Sequence, residues 1–343
     1  MRGIVGILTC CTCIVLNAAG AWAFGDATFL LTNSANARAL AMGDVGVADN
    51  TDPSTIFYNP ANVISASRVY ALAAQQRFDG YDDVWLRRAN AGFSWHAGEG
   101  SPLSVGTDLS YGKLNLGEAV VTDTAGTILG TFNAYQDVVA LTTGIGITVG
   151  SCEFRFGAGV KRWVAVYGPS DFSGEPSVEA NATTFDAGVT VALHERYGAW
   201  NITPAIAAAM IDAGQDIDWG FQKDPLPTRV NFGASVRVES SPCNVFSAKV
   251  PLVAFVCQAD GVDPTEGDLE WGIGNEIAVA QILFLRTGVR RYHSTSSSSD
   301  PTYASFGAGL GFPAGPLRAR FDYGRQKNSY EKDHMDVLVE FSF

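Results

Sequence analysis

The residues best able to bind a metal or move a proton near neutral pH are the histidines, and His96, His194, His293 and His334 are scattered singly along the chain. None has the short spacing that brings two imidazoles onto one ion, so no metal centre is expected from them. Asp260, Asp263, Glu266 and Asp268 crowd one stretch where hard oxygen ligands could hold calcium. Their spacing misses the EF-hand pattern, and a solvated acidic loop is the simpler reading. Glu99 with Glu118, or any other pair of carboxylates, is not brought together by anything in the sequence. No enzyme chemistry and no cofactor is expected.

A different set of polar residues becomes orderly once the chain is divided into strands. From residue 69 onward it breaks into fourteen segments of alternating polarity: 69–78, 88–96, 103–111, 135–149, 154–166, 182–195, 200–211, 228–239, 245–257, 269–280, 282–292, 303–312, 317–326 and 335–343. In a strand, successive side chains point to opposite faces. Phe185, Ala187, Val189, Val191 and Leu193 therefore share one face, and Asp186, Gly188, Thr190 and His194 the other. The last segment repeats this, with Val337, Val339, Phe341 and Phe343 opposite Asp336, Glu340 and Ser342. An apolar outside with a polar inside is the pattern of a lipid-facing barrel wall.

A soluble sandwich also alternates, but it ordinarily stops at seven to nine strands. The connections 150–153, 196–199, 240–244, 281 and 313–316 read as short, and 112–134, 167–181, 212–227, 258–268 and 293–302 as long, including the serine run 296–299. Such sorting by side is expected of outer-membrane barrels, with short turns on the periplasmic face. The expected fold is an all-β, transmembrane antiparallel β-barrel of 14 strands over residues 69–343.

By the same parity Arg155, Lys161, Asp186, Arg237, Lys249, Glu270, Glu276, Arg286, Arg290, Arg318, Arg320, Asp322 and Glu340 face the lumen. Mixed signs of this kind favour structural ion pairs over a continuous polar path.

Residues 1–23 have the form of a secretory leader: Arg2, an apolar run from Ile4 to Leu16, and the small-x-small site Ala21-Trp22-Ala23. The run is shorter than the ~20 residues a membrane helix needs. Without the leader the chain keeps Cys152, Cys243 and Cys257, which show no zinc spacing and no evident disulfide framework. It then carries 22 Lys+Arg (23 less Arg2) against 35 Asp+Glu, a net of −13, which excludes nucleic acid as a partner. Residues 24–68 show no sustained period and are too few for a separate soluble domain, so they are expected to plug the barrel.

This N-terminal stretch contains Ala37-Arg38-Ala39, Met42-Gly43-Asp44, the acidic turn Asp52-Pro53-Ser54 and Phe57-Tyr58-Asn59-Pro60-Ala61. In that order it resembles the entry segment of the PorV/PorQ-type outer-membrane proteins, and Asn59-Pro60-Ala61 also resembles FadL-type transporters. Weaker matches run through Leu226 to Gly233, Leu285 to Arg290 and Phe306 to Gly311. The resemblance implies a bacterial outer-membrane barrel of fourteen strands with an internal N-terminal hatch. Its motif residues here are Arg38, Met42, Gly43, Asp44, Tyr58, Asn59 and Pro60.

It implies first a role in type IX-like secretion, handling secreted protein cargo, and alternatively a FadL-like channel for hydrophobic small molecules. Phe29, Leu30, Leu31, Phe57 and Tyr58 either line a pocket for such a molecule or simply pack the plug. The expected surroundings are outer-membrane lipid.

Overall fold

A computed structural model describes residues 28–49, 52–64, 69–78, 81–97, 101–122, 128–167, 179–220, 223–264, 268–292, 301–327 and 332–341. The leader, His293, Glu99, Glu266, the serine run and the closing Ser342 and Phe343 lie outside these residues.

Fourteen strands form the wall: β1 Val69–Phe78, β2 Tyr81–His96, β3 Leu103–Thr122, β4 Ile128–Val149, β5 Cys152–Val166, β6 Glu179–Leu193, β7 Trp200–Gly214, β8 Arg229–Ser240, β9 Val253–Pro264, β10 Glu270–Val279, β11 Leu283–Arg291, β12 Thr302–Ala314, β13 Leu317–Lys327 and β14 Lys332–Phe341. Each pairs antiparallel with its chain neighbours, and β14 returns to β1 from Val69↔Phe341 to Phe78↔Lys332. The sheet is a closed ring without an edge. A fifteenth short strand, Glu195–Tyr197, pairs with the start of β7.

Alternation creates the wall's two faces. On β14 the side chains of Met335, Val337, Val339 and Phe341 are 39–45% exposed, while His334, Asp336 and Leu338 are buried. Leu283, Leu285 and Val289 of β11 are likewise exposed and Arg286 and Arg290 buried. A continuous apolar exterior of this size does not suit water and is the surface a bilayer covers. No helix among the described residues is long and apolar enough to span a membrane; the crossing is made by strands.

Two expectations about the connections fail. The stretch 112–134 is mostly strand, because β3 runs past 111 to Thr122 and β4 begins at Ile128 rather than 135, with total lengths of 20 and 22 residues. In β3 beyond Tyr111, Lys113 and Asn115 stand on the outward face and Leu114 and Leu116 on the inward one, so the polarity contrast that marks a wall strand is reversed while the pairing continues. Gly117 at φ 84 and a register shift between Asn115 and Glu118 bend it.

The second failure is at 240–257. Segment 245–257 is not one strand: a small hairpin, Pro242–Val245 with Ala248–Pro251, precedes β9. Phe246 and Ser247 make its two-residue turn, both with positive φ, as tight hairpins favour. Lys249 therefore leaves the wall and is exposed, not lumenal. Connection lengths therefore sort by side only in part: 167–178, 215–228 and 292–301 on the outer side are long, but 79–80, 123–127, 265–269 and 328–331 are shorter than the inner connections 97–102 and 194–199.

Candidate functional site

Residues 28–64 make no regular element longer than five residues. Helices α1 Phe29–Thr32 and α2 Ala37–Ala41 are followed by 3-10 turns Pro53–Phe57 and Pro60–Val63. Short polar side chains start three of the four. Asn36 accepts from the Ala39 N–H at 2.8 Å, Asp52 from Ser54 at 2.9 Å and Asn59 from Ala61 at 3.0 Å. Pro53 and Pro60 occupy first-turn positions, where a missing N–H costs nothing.

Partners of this segment come from all round the ring. Leu30 N–H donates to Gln136 of β4, Ala37 N–H to Asp336 of β14, and Val47 N–H to Asp260 of β9, at 3.0, 2.8 and 2.9 Å. Asn59 donates to Thr190 of β6, and Arg88 of β2 donates to the carbonyls of Leu30 and Ser34. A peptide that meets opposite sides of a closed ring lies inside it. At two inward positions the backbones approach so closely that only glycine fits. A Cβ on Gly157 would overlap the Pro60–Ala61 peptide, and one on Gly288 the Met42–Gly43 peptide.

The motif residues serve this docking. Arg38 is 2% exposed, with its Nη1 on Asp49, its Nε 2.8 Å from Glu276 and 3.6 Å from Asp52. Glu276 also meets Arg286 at 2.6 Å, Arg286 meets Asp322 at 2.6 Å, and Asp322 meets Arg320 at 2.5 Å. Arg320 then reaches Asp52 at 2.5 Å, which closes a ring of three arginines and three carboxylates in alternating order. Met42 packs with Val45 and Val256, and Gly43 adopts φ 77 against the Val289 backbone. The Tyr58 hydroxyl donates to Asp44 at 2.5 Å and accepts from the Ala35 N–H at 3.1 Å.

Burial alone would raise the Asp52 carboxyl. The guanidinium groups of Arg320 and Arg38 and the Ser54 hydrogen bond outweigh it and hold Asp52 well below the usual aspartate range. Burial and then the Asp44 carboxylate push the Tyr58 hydroxyl far up, so it remains a donor.

The other lumenal charges fall into separate groups. Asp186 and Asp212 share Lys161 at 2.8 and 2.7 Å, and Arg229 adds a contact to Asp212 at 3.0 Å. Arg155 pairs with Glu153 at 2.7 Å beside His194. Arg290 pairs with Glu270 at 2.8 Å, and Arg237 with Glu239 at 2.6 Å. Arg318 and Glu340 are cross-strand neighbours beside a small cavity near the short-turn end.

Asp260 is not in an outer loop. It is a buried wall residue whose Oδ2 accepts from Gly46 and Val47. The long extension of β9 explains the misplacement; inward parity carried to residue 260 would have found it. Arg88 and Gln136 were also missed, because an isolated polar residue near a strand's end gives no signal of what it faces. Among the described residues no group of His, Cys, Asp or Glu is placed to hold a metal.

Toward the long-loop end the lumen changes character. Leu86, Leu114, Val138 and Trp163 point inward, with Ile217, Trp219 and Leu226 folded over them from the β7–β8 connection. Trp163 meets Trp219 edge-on at 6.2 Å, Tyr167 stacks on Trp219 at 5.5 Å, and Phe29 tilts against Phe78 at 5.6 Å. Leu30 and Leu31 of α1 fill the middle of this chamber. Its polar handle is Gln136: Oε1 accepts from Trp163 Nε1 at 3.3 Å and Nε2 donates to the Tyr167 hydroxyl at 2.5 Å. Phe57 instead joins Ile56, Val63 and Ile64 in a separate cluster.

This closed ring with chain packed inside defines the class: a fourteen-stranded antiparallel β-barrel of the outer-membrane kind, similar in fold to FadL-type barrels. A FadL homologue from Pseudomonas aeruginosa is similar over 91% of this chain and 99% of its own, at 11% identity and TM-score 0.50. The toluene transporter TbuX of Ralstonia pickettii matches 89% of this chain and 98% of its own, at 11% identity and TM-score 0.52. A deletion mutant of the monoaromatic hydrocarbon channel TodX gives 89%, 97%, 10% and 0.51. At such identities the likeness is one of fold. No protein-family model matches the chain, and no curated protein matches it by sequence.

Proposed function

We propose that the barrel passes apolar small molecules through the aromatic chamber, with residues 24–68 serving as its plug and α1 as the part that moves. Residues 1–23 are its removable leader. The supporting observation is that Phe29, Leu30 and Leu31 sit in an aromatic-rich apolar cluster at the long-loop end of the lumen, apart from the charged groups around Arg38. Withdrawing a buried Leu or Phe into water costs ~1.5–3 kcal/mol each. An apolar ligand entering as α1 leaves offsets that loss. The Arg38 ring offers no such exchange, because separating buried pairs costs about 3–5 kcal/mol each and no apolar molecule restores them. Movement is therefore confined to the stretch before α2. Similar solved barrels include a toluene transporter and a monoaromatic hydrocarbon channel, which fits this substrate class.

Handling of secreted protein is the second reading, and it rests on the entry-segment resemblance. Arg38, Met42, Asn59 and Pro60 are buried against the wall, so the motif accounts for a plug and offers no surface to cargo.

Titrating the detergent-solubilised chain with naphthalene should quench the emission of Trp163 and Trp219 saturably. Phe29→Ala with Leu31→Ala should tighten that binding about tenfold by removing the occupant. A linear, unsaturable response identical in a Trp163→Phe, Trp219→Phe variant would sink the reading.

A further inference from the structure

The outer face of the wall carries a second feature, where β14 meets β1. A cavity of about 1130 Å³ lies there; its exterior side is floored by Ala73 and Ala89, and its lining also takes in Ala74, Phe78, Arg88 and Asp336, whose side chains are buried on the lumenal side. Phe321, Met335 and Val337 stand on one side and Tyr111 on the other. The register explains the hollow. Val337, Ala73, Ala89 and Tyr111 are successive cross-strand partners, so two methyl groups sit in a row of large side chains.

Directly above, toward the long-loop end, the next row is Met335, Gln75, Arg87 and Lys113, and the one beyond it contains Asp333, Arg77 and Trp85. Arg77, Arg87, Lys113 and Arg325 thus edge the hollow or its rim; Asp333 and Asp137 share these rows, and Asp83 is exposed two residues beyond Trp85 on the same face. Asp333 is taken by Arg325 at 3.3 Å and by the Tyr323 hydroxyl. Asp137 is taken by Lys113 at 3.7 Å and the Tyr111 hydroxyl.

Arg77 and Arg87 are left exposed, and among the described residues neither forms an ion pair. Arg87 lies 4.2 Å over the Trp85 ring and gives one hydrogen bond to Gln75, which leaves its terminal nitrogens unspent. In a chain of net charge −12 this is a local reversal of sign.

From this arrangement we infer a binding site for a phosphorylated, multi-acyl glycolipid of the outer leaflet. Its acyl chains lie in the Ala73–Ala89 hollow and its phosphate meets Arg77 and Arg87. Within a bilayer the apolar groove adds little affinity, since acyl chains are surrounded by hydrocarbon either way. Selectivity falls to the headgroup, where guanidinium groups bind phosphate in pairs of charge-assisted hydrogen bonds.

Height on the wall supports the outer leaflet, because the arginines lie near the long-loop ends of β1 and β2. Width supports more than one chain: Val337 of β14 and Tyr111 of β3, which bound the alanine floor, stand three strand spacings apart, about 14 Å. Trp85 stands at the depth where aromatic belts meet headgroups.

Native mass spectrometry of the full chain in detergent tests this, using bis-phosphorylated lipid A, phosphatidylglycerol and phosphatidylcholine as probes. Lipid A should be retained as one molecule per barrel, about tenfold in preference to either phospholipid, the equivalent of one strong phosphate contact. Arg77→Ser with Arg87→Ser should erase that preference. Ala73→Trp, which fills the hollow and keeps the charges, should lower retention too. Should the double variant not fold, Arg87→Gln alone should lose about threefold. Unchanged retention in the arginine variants, or phosphatidylglycerol held as well as lipid A, would overturn the site. None of these outcomes depends on what crosses the lumen.

Discussion

Arg38 stands where Asp49, Asp52 and Glu276 converge, and two of those partners are within the N-terminal segment while the third belongs to the wall. Removing its charge takes one cation from each of three buried carboxylates, of which Glu276 keeps Arg286 and Asp52 keeps Arg320. Arg38→Gln should therefore destabilise the seated segment by about 3–5 kcal/mol, seen as faster cleavage of residues 28–64 by added protease. Arg38→Lys should fall between, since an ammonium keeps the charge but not the fork that reaches three partners.

Asp52 sets the pH dependence. Its folded carboxyl titrates below the unfolded one, so its contribution is fully present above about pH 4 and is lost as pH falls further. Protease resistance of the segment should hold from neutrality to about pH 4 and decline below it, and Asp52→Asn should flatten that decline. An unchanged acid profile in the variant would count against the ring.

For single strands, parity decides what a substitution does. Leu141 is 51% exposed on the lipid face and Thr142, its neighbour, 5% exposed in the lumen. Leu141→Arg should cost about 2–4 kcal/mol in a reversible unfolding titration in lipid, as a charge near mid-wall does. Thr142→Ser should cost under about 1 kcal/mol.

That same parity made the wall readable from sequence. The strand expected at 182–195 is found as Glu179–Leu193 because Phe185, Ala187, Val189 and Val191 alternate with Thr184, Asp186, Gly188 and Thr190 under a one-sided environment. It failed where that contrast reverses, in the ribbon above residue 111, and where the hairpin 242–251 interrupts the wall. The lumenal charges were visible as a set, but their grouping was not. Arg286 meets Asp322 only because β11 and β13 flank β12, a fact of ring geometry that no local pattern carries. The aromatic chamber escaped for a related reason: Trp163 stands in an expected wall strand and Trp219 in an expected long connection, and neither alone signals the other.

At the scale of the molecule, fourteen strands enclose more space than their own side chains fill, and the N-terminal segment takes up the difference. Deleting residues 28–64 should turn a nearly silent protein into an ion-conducting pore in a planar bilayer, because the charged wall would then face water. Conductance equal to that of the intact chain would mean that the strands collapse without their filling.

The β1–β14 seam has a consequence for the order of events. The first and last wall strands must meet although nearly the whole barrel lies between them in the chain, so the ring cannot shut until synthesis and export are complete. The N-terminal segment hydrogen-bonds to β2, β4, β6, β9 and β14, so its full set of partners exists only once the ring is complete. The earliest stretch to emerge must therefore be held waiting and swallowed as the cylinder zips around it, which makes the leading residues the last passengers aboard.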